Sequence, residues 1–555
     1  MRNRLRCAAA NTVVLLLCLF LCTPVAPTAS AATPAPAAPD TPPTPGTSDT
    51  SGTSGTSGAA TATSGDVMSD RYAAIDAYVR DRMRATRTPG ISYAVVGPDG
   101  PVHQRSWGRD GRGERVRAGT PFLWGSVAKP ITATSVMTLV QDGRLRLDDR
   151  VVDHVPEFRF GGAAHASGVT VRHLLNQTSG LPESATFEVA DCLAADCPRP
   201  AERLGALDGV RPLGPPGTTY AYTSANYLVL SALVESVTGL PFAEHLRRSV
   251  LDPVGMDGAI ADRASARKRN LSPGHRLLWG MPSATVDGVD DHGAAYGYTG
   301  GDLNALAAFA SFQLRSGRTA GGRSVLTPES VRLMREEGRL RPTGAGTGYG
   351  MGWRVGGLDA PLDDAIWHTG ATPGYAAMLF LLPKLNAAIV LEQNLYGLLQ
   401  DEALMQVGFG AARILGTGGT PTSSPSAAVY YAAVWGATAL AMALLLAVAW
   451  QVRLLRRPVT AGSRPRRAAT TALWCLAGAA PVAALASAVV LMSPDQLMNW
   501  VPDIFVAVCV AAAAGAMTLA LRLTLTIRSW RAGRLPVPDG ATRRPRRRGP
   551  ASPGW

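Results

Sequence analysis

Among 54 basic residues only three are lysines: Lys129, Lys268 and Lys384. Arginine keeps its charge, whereas a desolvated lysine can act as a base. Two of the three stand three positions after a serine, in Ser126-Val-Ala-Lys129 and Ser265-Ala-Arg-Lys268. On a helix that spacing puts hydroxyl and amine on one face. The chemistry on offer is attack by the serine while the lysine takes its proton. Surroundings separate the two pairs. Ser265 lies in a charged stretch, Ala261 to Asn270, where Lys268 is expected to be solvated and protonated. Ser126 follows Phe122-Leu-Trp-Gly125 and opens an apolar helix. Burial there lowers a lysine from its usual pKa of about 10.4, and the helix N-terminus favours negative charge at Ser126. Pro130 is tolerable in a first helical turn. The alternative role for Ser126 is that of an ordinary N-cap.

Two further segments present polar groups. Pro215-Pro-Gly-Thr-Thr-Tyr-Ala-Tyr-Thr-Ser-Ala-Asn-Tyr227 precedes a helix and displays Tyr222. Ala365-Ile-Trp-His-Thr-Gly-Ala-Thr-Pro-Gly374 puts His-Thr-Gly at the end of a strand. With these three motifs in this order, and with Leu174-Leu-Asn-Gln-Thr-Ser-Gly-Leu-Pro182 and Tyr349-Gly-Met-Gly-Trp353 in support, residues 70–410 resemble the serine β-lactamase and penicillin-binding protein superfamily. The resemblance is to its class C β-lactamase and DD-peptidase branch. It implies that Ser126 is acylated, that Lys129 takes or shares its proton, and that Tyr222 relays protons to the leaving group and later helps activate water. It implies an oxyanion hole from the N–H groups of Ser126 and Ala371, and substrate contacts from His368, Thr369, Gly370, Ala371 and Ser224. The sequence departs from the family pattern twice. His-Thr-Gly stands where class C β-lactamases usually have Lys-Thr-Gly, which tilts the expected activity away from a dedicated β-lactamase. Ser224 occupies the asparagine position of Tyr-x-Asn, and Asn226, two residues on, reads as structural. His368, with an unperturbed pKa near 6.5, either carries a charge that binds a substrate carboxylate below neutrality or stays neutral throughout and donates a hydrogen bond.

The elements that must position these groups follow from periodicity. A helix begins near Ser69 with Ile75, Val79 and Met83 on one face, and Gly90–Gly108 reads as a hairpin turning at Gly97-Pro-Asp-Gly100. Ser126–Val140, Tyr227–Val237 and Leu303–Leu314 read as helices in a middle region otherwise helical or irregular. Strands are expected at Tyr349–Val355, Ala365–His368, Tyr375–Leu382 and Ala387–Glu392, and a last helix over 398–415. This order predicts an α+β domain, an α/β sandwich: an antiparallel sheet closed by both chain ends and flanked by helices, with a helical subdomain beside it.

Outside 66–416, the expected domain, the chain reads as envelope apparatus. Residues 1–31 have the basic head, apolar run and small-residue end of a signal peptide. Residues 32–65 form an Ala/Thr/Pro/Ser/Gly linker, and 417–426 a second linker. Apolar runs at 427–452, 468–492 and 504–521 are each long enough to cross a hydrocarbon core of about 30 Å, and the basic tail 522–555 follows. The net charge of +13 is exceeded by the 15 arginines of 453–467 and 522–548. It is therefore a mark of membrane topology rather than of a nucleic-acid groove, and the positive-inside rule places the 66–416 domain outside the cell. Tyr430, Tyr431 and Trp500 are expected as interfacial anchors on that outer side. Cys192 and Cys197 are an even pair in an oxidising compartment, which favours a disulfide. No His/Glu cluster has metal-ligand spacing, and neither a metal nor a cofactor is expected. The expected partners are a small-molecule or peptide substrate and the membrane. A penicillin-binding or sensor module with little turnover is the alternative; three spans without intramembrane acids give little support to a transporter.

Overall fold

The computed structural model describes residues 64–344, 346–421, 426–458 and 464–532. The expected signal peptide, residues 32–63 of the first linker, 422–425 of the second and the tail beyond 532 lie outside the described residues. The chain divides into two compact units: residues 1–434 with 487–503, and 435–486 with 504–555.

In the first unit β1 (Gly90–Gly97) and β2 (Gly100–Gly108) form the expected hairpin. The short β3 (Phe122–Leu123), the pair β4 (Gly274–Leu278) and β5 (Met281–Val286), and β6 (Gly300–Gly301) follow. Next come β7 (Pro342–Gly344), β8 (Thr347–Gly350), β9 (Trp353–Gly356), β10 (Ile366–Thr372), β11 (Tyr375–Leu382) and β12 (Ala387–Gln393). Eight of these make one antiparallel sheet in the order β2-β1-β12-β11-β10-β9-β8-β7, so the first and last strands pair at Ile91↔Gln393 through Val96↔Ala388. Helices Ser64–Thr86 and Asp401–Thr417 cover one face and Leu303–Leu314 packs on the other. Strand alternation serves both layers. On β11, Phe380 stacks edge-on against Phe409 of the last helix at 5.0 Å. Ala377, Leu379 and Leu381 instead join the main core with Phe309, Ile131 and Tyr227. All eight residues of β11 are buried, which is why it reads as a continuous apolar run.

Two expectations change. The single strand 349–355 is two strands, because Met351 and Gly352 turn the chain with φ of 44° and 86°. A Cβ on Gly352 would stand 2.8 Å from the Lys129 carbonyl oxygen, so this turn presses on the start of the Ser126 helix. The middle region also contains the β4–β5 hairpin. Its turn is Trp279-Gly280, both at positive φ, and tryptophan is not among the residues that ordinarily signal such a turn.

In the second unit lie the apolar stretches of three helices, Ala428–Leu455, Arg467–Leu491 and Pro502–Arg531, each long and apolar enough to cross a membrane. Gly478 and Gly515 face each other so closely that a Cβ on either would come within 2.5 Å of the other's carbonyl oxygen. Such small-residue contacts let helix backbones approach in lipid.

Candidate active site

Ser126 sits in a one-turn 3-10 segment, Gly125–Val127, leading into the helix Ala128–Gln141. Ala128 through Leu139 are all buried, so the helix is held by the core rather than by a solvent-facing cap. The turn is wedged against β10. A Cβ on Gly125 would lie 2.1 Å from the Ala371 nitrogen, and one on Gly370 would lie 2.6 Å from the Ser126 nitrogen. Only glycine fits at both places, and their close approach brings the Ser126 and Ala371 amides side by side. β10 pairs with β9 only at Ile366↔Val355 and Trp367↔Arg354, which leaves the His368–Thr372 edge available to this turn.

Lys129 is fully buried. Its Nζ lies 2.9 Å from Ser126 Oγ, 2.7 Å from the Tyr296 carbonyl oxygen and 3.3 Å from Ser224 Oγ. Burial, helped by the nearby Arg354 charge, lowers its pKa from 10.5 to about 7. A neutral amine has two hydrogens and one lone pair. The Tyr296 carbonyl can only accept and Ser224 Oγ can also accept, which turns the lone pair toward the Ser126 hydroxyl. Ser224 therefore reaches Lys129 although it is shorter than asparagine. Asn226 is buried and bonds Ser179 and Gln177, each at 2.6 Å, away from the lysine.

Around this pair is an aromatic wall. Lys129 Nζ lies 4.9 Å from the Tyr222 ring centre, and Tyr349 meets Tyr222 edge-on at 5.7 Å. The hydroxyls of Tyr220, Tyr222 and Tyr349, His368 Nε2 and Thr372 Oγ1 are buried and meet no partner in hydrogen-bonding geometry among the described residues. Burial pushes the Tyr222 hydroxyl well up in pKa, with the Ser126 hydroxyl and Arg354 acting the other way. Tyr222 is accordingly a proton donor at rest, not a phenolate.

The surroundings of His368 favour the neutral alternative. Its Nδ1 lies 2.6 Å from the Thr369 carbonyl oxygen, which assigns the ring hydrogen to Nδ1 and leaves a lone pair at Nε2. Burial first, then the Arg354 and Lys129 charges, hold its pKa well below 6.5. A carboxylate-binding imidazolium near neutrality is therefore not what this environment favours. The standing cation is Arg354, whose guanidinium lies 5.5 Å from the ring centres of both Tyr222 and Trp367. Sequence reasoning missed it, although it directly follows Tyr349-Gly-Met-Gly-Trp353. Sequence reasoning also passed over the backbone carbonyl of Tyr296, for which a side-chain motif carries no signal.

The remaining candidates lie as follows. Thr369, Gly370 and Ala371 line the β10 edge beside Ser126. Cys192 and Cys197 have their sulfurs 2.06 Å apart, at bonding distance. Ser265 Oγ is bonded to Asp262 within its own helix turn, and Lys268 is exposed.

A family model described as Beta-lactamase matches residues 75–405. Penicillin-binding protein 4 of Amycolatopsis lactamdurans is 31% identical over 333 residues, 57% of this chain and 85% of that protein. Protein flp of Staphylococcus aureus (strain NCTC 8325 / PS 47) is 24% identical over 336 residues, 59% of this chain, and the chain spans 64% of that relative's length. The solved structure of EstCE1, a hydrolase with promiscuous acyltransferase activity, shares the fold with a TM-score of 0.51 at 20% identity, over 59% of this chain and 94% of that one.

Proposed function

The chain belongs to the Beta-lactamase family, and from that premise we propose that its 66–416 domain is a membrane-anchored acyl-serine hydrolase of the cell envelope. The observation that carries this reading is the 2.9 Å contact between Ser126 Oγ and a fully buried Lys129 whose pKa falls to about 7. The neutral amine takes the Ser126 proton as Oγ attacks a carbonyl carbon. The oxyanion then receives the Ser126 and Ala371 N–H groups, fixed before substrate arrives. Tyr222 Oη passes a proton to the leaving group, and Lys129, now protonated, replenishes it. In deacylation the same pair draws a proton from water.

The substrate class is a peptide, ester or lactam, and DD-peptidase or esterase chemistry fits it. A substrate carboxylate, where present, is held by the guanidinium of Arg354, 5.5 Å from the Tyr222 ring centre. Orientation is supported from two sides. Arginines cluster after the first span and after the third, and the segment between the second and third spans bonds to the hydrolase domain, with Trp500 Nε1 2.9 Å from Asp191 Oδ2. Both support a domain on the outer side, following a signal peptide at residues 1–31.

The test is covalent labelling of the full chain by a fluorophosphonate and a fluorescent penicillin, with Ser126→Ala as control. Both labels lost in the variant, and the penicillin label released over time from wild type, support turnover. A persistent penicillin adduct supports the binding or sensor reading instead, and label unaffected by Ser126→Ala contradicts both.

A further inference from the structure

Residues between the second and third apolar helices form a short helix, Pro494–Trp500, with Ser493 as its N-cap. Several of them bond to the hydrolase domain, Trp500 among them. Gln496 Nε2 donates to the Phe187 carbonyl at 3.0 Å. Arg276 donates to the Asn499 carbonyl at 3.1 Å, and the Trp279 amide donates to Asp503 at 3.0 Å. The Trp500 ring meets Tyr396 edge-on at 5.8 Å, and its Nε1 donates to Asp191 Oδ2 at 2.9 Å.

Asp191 stands at a junction. It has φ 66° and immediately precedes the Cys192–Cys197 loop. Its second oxygen accepts from Tyr298 Oη at 2.8 Å, and its N–H donates to Tyr296 Oη at 3.2 Å. Tyr296 Oη in turn donates to Asp290, which is paired through both oxygens with buried Arg203 at 2.8 Å. Tyr296 and Tyr298 belong to one π-type turn, Ala294–Tyr298. The carbonyls of that turn meet the catalytic helix: Ala295 accepts from Thr132 at 2.9 Å and Tyr296 accepts from Lys129 Nζ at 2.7 Å.

We propose that Trp500 is a positioning residue for Lys129, acting through Asp191 on the Ala294–Tyr298 turn whose Tyr296 carbonyl aims the amine at Ser126. The role rests on the acyl-serine reading above. The segment between two apolar helices thereby becomes part of the catalytic support. A half-buried carboxylate that loses one donor must find another or take up a proton. Burial already raises the Asp191 pKa, with Trp500 and Tyr298 holding it down. Removing the indole N–H therefore releases Asp191 from its place and slackens the turn.

The experiment uses the full chain in detergent micelles and measures the rate at which a fluorophosphonate phosphonylates Ser126, the analogue of its acylation, as a function of probe concentration. Trp500→Phe should lower the maximal labelling rate about three- to tenfold, the size of one lost hydrogen bond, with half-saturation unchanged. Asp191→Asn should do the same. The double variant should be no slower than the slower single one, because both cut one path. Tyr396→Phe keeps the ring against Trp500 and removes only a 2.8 Å bond to Asp401, so it should label as wild type. Should Trp500→Phe not fold, Asp191→Asn alone decides by its rate. A wild type that labels at Ser126 beside variants of undiminished rate, or variants whose effects multiply, overturns the positioning role alone. A wild type that takes no label overturns the hydrolase reading and this role with it.

Discussion

The chain contains one spacing twice, and the two copies differ in everything except spacing. In both, serine precedes lysine by three residues at the start of a helix. At Ser126 the helix is buried from its first turn, and among the described residues the amine's hydrogen-bond partners are Ser126, Ser224 and the Tyr296 carbonyl. At Ser265 the hydroxyl is spent on capping: it bonds the Asp262 carboxylate at 2.6 Å and receives the Asp262 and Ala261 amides at 3.0 Å each. Lys268 points into water. The lesson is that spacing supplies proximity, while desolvation supplies the base.

Swapping the nucleophiles tests this contrast with the largest effect. Ser126→Ala should reduce hydrolysis of a chromogenic ester by about 10⁴-fold or more. Ser265→Ala should leave the rate within about twofold and be felt only as a weakened helix cap. Swapping the bases comes next. Lys129→Arg keeps a cation that cannot act as base and should cost about 10²- to 10⁴-fold in kcat, whereas Lys268→Arg should be silent in the same assay.

A smaller effect separates the two cationic candidates near the nucleophile. Arg354→Gln should raise KM for a carboxylated substrate about tenfold while leaving an uncharged ester nearly unchanged. His368 is held neutral by burial, Arg354 and Lys129. The wild-type ratio of KM between the two substrates should therefore stay flat from about pH 6 to 8. A ratio that climbs through that range would return the carboxylate to His368. Smallest of all, Ser224→Ala removes one 3.3 Å partner of Lys129 and should lower kcat about two- to fivefold.

Much of this was legible in the sequence, because the motifs are local and the sheet strands are strongly patterned. Helix Leu303–Leu314 and strand Tyr375–Leu382 fall where periodicity puts them. What escaped depends on contacts distant in sequence. The charge state of His368 depends on burial first and then on Arg354, fourteen positions away and brought beside it by the Arg354↔Trp367 strand pairing. The Tyr296 carbonyl reaches Lys129 across 167 positions. The bond from the Trp500 N–H to Asp191, 309 positions earlier, likewise carries no local signal. The strand break at Met351-Gly352 was hidden for a similar reason, since its cause is the close approach to Lys129.

The central claim is that burial makes Lys129 the base for Ser126, and the pH dependence of acylation tests it most directly. With Lys129 lowered from 10.5 to about 7, the amine is mainly protonated below that value and mainly neutral above it. The rate of Ser126 acylation by an uncharged probe should therefore rise through a single ionisation near pH 7 and level off by about pH 8.5. A rate that keeps climbing past about pH 9, as for a solvated lysine, would contradict the account.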